Sequence, residues 1–248
     1  MPTRLVHLAV DAADTRRLAG FWAGVLGWQV LDEGDGQFSI EPAGYRYPDP
    51  ATVPLVFVPV PEPKTVKNRV HLDLATESDA QQRAEVNRLL ALGATGPADI
   101  GQDETVPWVV LRDPEGNEFC VLEPQPTYPD HGLYGGIVLD CADPQAQASF
   151  WELAAGWTRA GGGERAVSLR SPAGTGPYLT LLKVPDQKTV KNRIHLDVAP
   201  ERAEDHQAAL RALRAAGAKP ADVGQGNSVP WYVLTDPEGN EFCLLTPR

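Results

Sequence analysis

The chain is poor in cysteine and in positive charge, and it has no long uninterrupted apolar run. Its three cysteines, Cys120, Cys141 and Cys243, fall at no regular spacing and form no Cys-x-x-Cys pair. That argues against a disulfide framework and for a reducing compartment, with each thiol a small apolar residue on a buried strand. Lys and Arg total 22 against 33 Asp and Glu, a net charge of -11. Such a surface repels nucleic acid and anionic membranes as general partners. No stretch is apolar and long enough to span a bilayer, and the first residues carry no apolar leader core, so a cytoplasmic address is expected. With 42% hydrophobic and 22% charged residues, the composition is that of a globular protein.

What is present is one text written twice. Lys64-Thr-Val-Lys-Asn-Arg-Val-His-Leu-Asp73 returns as Lys188-Thr-Val-Lys-Asn-Arg-Ile-His-Leu-Asp197, and Asp113-Pro-Glu-Gly-Asn-Glu-Phe-Cys120 returns as Asp236-Pro-Glu-Gly-Asn-Glu-Phe-Cys243. Self-similarity at half the length predicts two domains, 1–124 and 133–248, joined by a proline-rich linker over 125–132. Their packing against each other would give within one chain what two identical chains give as a dimer, an internal pseudo-dimer that need not associate further.

Within the first half, alternation predicts a strand over 4–11. Asp14 then caps a helix whose apolar stripe is Leu18, Phe21, Trp22, Val25 and Leu26, and Gly27 ends it. Strands follow at 28–31, 37–41 and 54–60. The pattern restarts with a strand over 70–75, a helix over 80–92 closed by Gly93, and strands over 108–112 and 118–123 around the Asp113-Pro-Glu-Gly-Asn turn. Each half therefore reads as two βαβββ units, and the expected class is α+β, each domain a curled mixed sheet around a cup with helices outside.

Four such units, with a strand-borne His-Leu-Asp and a terminal Asp-Pro-Glu-Gly-Asn turn, resemble the vicinal oxygen chelate superfamily of glyoxalases, bleomycin-resistance proteins and extradiol dioxygenases, and within it the glyoxalase-like subgroup. That resemblance implies a cup holding a small ligand and, in enzymatic members, a divalent metal bound by a His of the first strand, a His of the second unit's first strand and an acidic residue four positions after the turn glycine. Carried onto the first half, the positions are His7, His71 and Cys120; onto the second, Gly136, His195 and Cys243. A thiol replaces the carboxylate in both. Glu118, on the same pleat face as Cys120, is the alternative third ligand. The stretches 54–60 and 178–184 contain no carboxylate to complete a four-ligand site.

Three readings of function follow. The first is a metal-free, sequestering or resistance-type protein whose apolar cup binds a small organic molecule, lined by Trp108, Trp231, Tyr45, Tyr47 and His195, with no cofactor. The second is a lyase, isomerase or dioxygenase with one Zn, Ni, Mn or Fe ion in the first domain on His7, His71 and Cys120 or Glu118. The third is a metal-free biosynthetic enzyme with His7 or His71 as general base. The basic points Lys64, Lys67, Arg69, Lys188, Lys191 and Arg193 are expected to pair with carboxylates between units. His131 and His206 are expected at the solvent surface.

Overall fold

The computed structural model describes residues 3–102, 105–124, 132–225 and 229–248. The first unit is β1 (Arg4–Ala12), α1 (Thr15–Leu26), β2 (Gln29–Gly34), β3 (Gln37–Glu41) and β4 (Leu55–Pro59); the second is β5 (Val70–Leu74), α2 (Asp79–Leu92), β6 (Val109–Arg112) and β7 (Glu118–Val121). The third is β8 (Tyr134–Cys141), α3 (Pro144–Ala155), β9 (Thr158–Gly162), β10 (Ala166–Arg170) and β11 (Tyr178–Lys183). The fourth is β12 (Ile194–Ala199), α4 (His206–Ala215), β13 (Lys219–Pro220), β14 (Tyr232–Thr235) and β15 (Glu241–Leu244). The expected elements are present, with one difference. Among the described residues the second unit has two strands after its helix, with a single bridge between Thr95 and Arg112 in place of a third.

The helices start and stop where their caps dictate. Asp14 accepts from the Arg17 N–H at the head of α1, and Gly27 closes it at φ 69°, a left-handed conformation that costs other residues a steric clash. Leu18, Phe21, Trp22 and Val25 are buried, and Leu26 is half-buried at the margin of the same core. No helix among the described residues is long and apolar enough to cross a membrane.

The sheets divide the chain differently from the sequence repeat. One has eight strands in the order β13-β14-β15-β12-β1-β4-β3-β2, and the other seven in the order β6-β7-β5-β8-β11-β10-β9. Each sheet therefore joins one unit from each half, through the antiparallel pairs β1 with β12 and β5 with β8. Units of the same half instead share a core. Trp22 of α1 packs edge-on against Phe119 of β7 at 5.1 Å, and Trp151 of α3 against Phe242 of β15 at 5.5 Å, each such aromatic pair contributing about 0.5–1.5 kcal/mol beyond its buried area. One hydrophobic cluster runs through both halves.

The duplicated motifs are the hardware of this arrangement. Trp22 Nε1 donates to Asp113 Oδ2 at 3.2 Å, and Trp151 Nε1 to Asp236 Oδ2 at 3.3 Å, so each turn aspartate anchors the helix of the preceding unit. Two basic residues pair with carboxylates between units as expected, Lys67 with Asp140 and Lys191 with Asp11, whereas Lys64 with Glu118 and Lys188 with Glu241, both at 2.7 Å, reach the closing strand of the unit that directly follows them. Arg193 spans the two sheets, donating to the carbonyls of Glu62 and Asp11 and to Glu115. A cleft of about 400 Å³ between the two Lys-Thr-Val-Lys-Asn-Arg segments is lined by these paired charges.

Candidate functional site

Strand alternation builds the two cups. On β12 the side chains of Ile194, Leu196 and Val198 enter the helix-backed core, so His195, Asp197 and Ala199 turn to the opposite face; on β5, Val70, Leu72 and Leu74 do the same and leave His71 and Asp73 facing the other way. Because the sheets mix halves, His7 lies in the eight-stranded sheet with His195 and Cys243, whereas His71 lies in the seven-stranded sheet with Cys120 and Gly136. The expected grouping of His7, His71 and Cys120 is thus not assembled. Its premise was that neighbouring units share a sheet, and here they share only a core.

In the eight-stranded cup, His7 Nε2 donates to Asp197 Oδ2 at 3.2 Å, and the Cys243 backbone N–H donates to Asp197 Oδ1 at 2.9 Å. His195 Nε2 donates to the Asn192 carbonyl at 2.7 Å. Burial drives the Asp197 carboxyl upward, but the His7 hydrogen bond and charge, the His195 charge and the Cys243 N–H outweigh it, and the group lies below the ordinary carboxylate range. Val6, Ala199, Cys243 and Leu245 form an apolar floor, with Tyr47, Trp231 and Val233 packed against it. The structure thus brings together in one cup His7 and Tyr47, expected with the first half, and His195 and Trp231, expected with the second.

Tyr45 sits beside this cup in a second hollow of about 480 Å³ that Tyr47, Arg4 and Trp157 also line. Its hydroxyl is pushed up to about 12 by burial and by Glu41, Tyr47 and Asp49.

The seven-stranded cup repeats the pattern with one change. Gly136 occupies the strand position that corresponds to His7, and Asp73 Oδ1 is buried without a hydrogen-bond partner. His71 Nε2 stands 3.7 Å from that oxygen, too far for a hydrogen bond. The Cys120 thiol hydrogen-bonds the Asp73 carboxylate, yet burial dominates and holds Asp73 above its ordinary value; burial and the Asp73 charge likewise push the Cys120 thiol up. Ala98, Val110 and Cys120 form the floor, with Ile100, Trp108 and Leu122 against it. Glu118, the alternative ligand, is taken up by Lys64 and by the Asn68 N–H.

The residues of the eight-stranded cup do not fit a metal: His7 and both oxygens of Asp197 are engaged with each other and with Cys243, and His195 is turned to Asn192. In the seven-stranded cup, by contrast, His71, Asp73 and Cys120 present ligand atoms all within 4.8 Å of one another. Sequence reasoning passed over Asp73 and Asp197. Their spacing of two from each histidine, which puts both on one pleat face, was the available signal. His206 is not simply exposed, since its Nε2 donates to the Leu244 carbonyl at 3.3 Å and its ring meets Tyr232. His131 and most of the expected linker lie outside the described residues.

The pattern of the Glyoxalase-like domain family matches the chain twice, over residues 7–122 and 136–245. The fold is similar to that of glyoxalase I from Zea mays, with a TM-score of 0.65 at 14% identity over 98% of this chain and 92% of that one. It is also similar to a protein from Bacillus subtilis subsp. subtilis str. 168 proposed to be a dioxygenase, with a TM-score of 0.60 at 18% identity over 99% of this chain and 85% of that one. No curated protein matches by sequence.

Proposed function

We propose, from the premise that this chain belongs to the glyoxalase-like domain family, that it binds a small organic molecule in the cup of the eight-stranded sheet, with the His7–Asp197 pair as its polar centre and no metal there. The observation that carries this is the complete satisfaction of Asp197 by His7 and Cys243. A buried carboxylate that holds one imidazole nitrogen fixes the ring and leaves the other nitrogen, Nδ1, to meet a ligand. His7 is the more accessible of the two, its side chain 16% exposed against 6% for Asp197. Tyr47 and Trp231 supply the flat apolar walls that a ring-bearing ligand needs. The matching chemistry is a partly aromatic molecule with an acidic hydroxyl, such as a phenol or an enol. Likeness of fold to glyoxalase I or to a dioxygenase does not choose a reaction.

The test is calorimetric titration of metal-stripped protein with a panel of phenols and enolic ring compounds. Binding that His7→Ala and Trp231→Ala each weaken by at least tenfold supports the reading; binding indifferent to both, or seen only after metal is added, overturns it. A second reading, proton transfer on the bound molecule, is favoured by the carboxylate-backed imidazole. Its measure is deuterium incorporation from heavy water into the ligand in wild type and its absence in His7→Ala.

A further inference from the structure

The internal repeat sets a tyrosine and a leucine at equivalent points, and a hollow opens at the leucine. Tyr134 pairs with Leu74 beside a bulge where β8 meets β5, and Leu5 pairs with Val198 beside the matching bulge where β1 meets β12. Trp28 and Trp157 repeat one another too, each directly following a helix-ending glycine. Trp28 meets the Tyr134 ring edge-on, with centroids 6.0 Å apart. Trp157 finds Leu5 where Trp28 finds Tyr134, and both line the hollow of about 480 Å³. A leucine has no ring to fill that space.

The far wall comes from a second departure from the repeat. The connection from β3 to β4 runs over residues 42–54, whereas that from β10 to β11 runs only over 171–177. The longer one brings Tyr45, Tyr47 and Pro48 to the hollow. Its own hydrogen bonds hold it: the Tyr45 N–H donates to the Pro42 carbonyl at 3.1 Å, and Asp49 accepts from the Ala51 N–H at 2.9 Å and the Thr52 hydroxyl at 3.3 Å. Two donors at this wall are unused. Arg4 Nε and the Tyr47 hydroxyl are buried without a hydrogen-bond partner, and the Arg4 guanidinium lies over the Tyr47 ring, 5.3 Å from its centroid. Buried polar groups of this kind are ordinarily paired, and a donor calls for an acceptor. The ionic partner of Arg4 is Glu201, at 3.6 Å and with its side chain 66% exposed, a solvent-screened contact that leaves most of the cation's charge free to act on a ligand.

We infer that this hollow is a second ligand site, for an aromatic carboxylate. The ring lies against Trp157 and Tyr45, in the space that a tyrosine fills in the other half, and the carboxylate accepts from Arg4 and Tyr47. A guanidinium matches a carboxylate in both charge and planar geometry. The volume falls within the roughly 300–1,000 Å³ of clefts that enclose small ligands. Val6 and Tyr47 stand between this hollow and the eight-stranded cup, and His7, Asp197 and Trp231 do not line it. Occupancy of the hollow therefore does not depend on what the cup binds.

The experiment is calorimetric titration of the full-length protein with 2-naphthoate and, in parallel, with its uncharged carboxamide. One equivalent of naphthoate should bind, and the carboxamide should bind roughly tenfold or more weakly, for want of the charge-assisted bond. Leu5→Tyr, which restores the ring present in the other half, and Arg4→Met, which keeps the stem and removes the guanidinium, should each weaken naphthoate by roughly tenfold or more. Tyr47→Phe keeps the ring and should weaken it less. Circular dichroism and thermal melting confirm that the variants are folded, and Arg4→Met decides the matter if Leu5→Tyr is not. His7→Ala and Trp231→Ala, which alter the cup, should leave naphthoate binding intact. No binding to wild type, equal binding of the carboxamide, binding indifferent to Arg4→Met, or binding lost in Trp231→Ala but kept in Leu5→Tyr overturns the inference, and none of these results bears on phenol binding in the cup.

Discussion

His7 Nε2 lies 3.2 Å from Asp197 Oδ2, although 190 positions separate them in the chain. The bond joins the first strand of the first half to the first strand of the last unit, and it exists because β1 pairs with β12 and not with β5. His7→Ala leaves Asp197 buried with only the Cys243 N–H, at an expected cost of about 1–3 kcal/mol at pH 7. Asp197 is held below its ordinary value in the folded chain, so its contribution is present above the unfolded carboxylate pKa of about 3.9 and is lost as pH falls through the folded value. Denaturation midpoints of wild type and His7→Ala should therefore differ by the same amount from pH 7 down to about 4 and converge as pH falls further. A gap that stays constant through that further fall would show that the carboxylate is not the group involved.

Asp113→Asn should destabilise the protein by about 1–3 kcal/mol in spite of its conserved shape. The Asp113 carboxylate accepts from Trp22 Nε1, from the Glu115 and Asn117 N–H groups and from Asn117 Nδ2. An amide puts two N–H donors among those donors. Because burial raises the Asp113 pKa despite these bonds, the folded state holds its proton more tightly than the unfolded one, and this group favours folding more as pH drops through its raised value. Urea midpoints for wild type and variant across pH 4 to 7 test both the size and the sign.

The elements themselves were readable because each rests on local chemistry. The Leu18, Phe21, Trp22, Val25 stripe, the Asp14 and Gly27 caps and the Asp113-Pro-Glu-Gly-Asn turn fix a helix or a turn without help from elsewhere. Unit pairing was not readable. Residues 64–73 and 188–197 are so alike that β1 would meet the same residues on β5 as on β12, and nothing local distinguishes the partners. The cups inherit that ambiguity. His7, His71, His195 and Cys120 were identifiable as residues, but which of them share a cup depended on the pairing, and Asp73 and Asp197 gained importance only once the strand opposite them was known.

Gly135 and Gly136 are neighbours on β8 that should respond in opposite ways to alanine. A Cβ at Gly135 would come within 2.8 Å of the Ala75 Cβ, closer than real side chains approach, whereas one at Gly136 meets nothing nearer than 3.5 Å. Gly135→Ala must push β8 away from β5 and is expected to cost about 1–3 kcal/mol. Gly136→Ala should be neutral or stabilising by up to roughly 0.5–1 kcal/mol, since glycine in a strand loses more chain entropy on folding. Thermal melts of the two variants decide the matter, and equal destabilisation would contradict the strand packing described here.

The exchange of units between sheets makes a prediction about the halves taken alone. Residues 1–124 keep the Trp22–Phe119 core contact and the Trp22–Asp113 bond, but they lose β12 from the edge of β1 and β8 from the edge of β5. Bare strand edges seek partners. The second unit is the sequence repeat of the fourth, so a second copy of the first half can offer its β5 to β1 just as β12 does. The isolated first half should therefore sediment as a symmetric dimer, and co-expressed first and second halves should purify as a one-to-one complex. A stable, well-folded monomer of residues 1–124 would mean that β1 can pair with β5 within one half, and it would return His7 and His71 to a common cup.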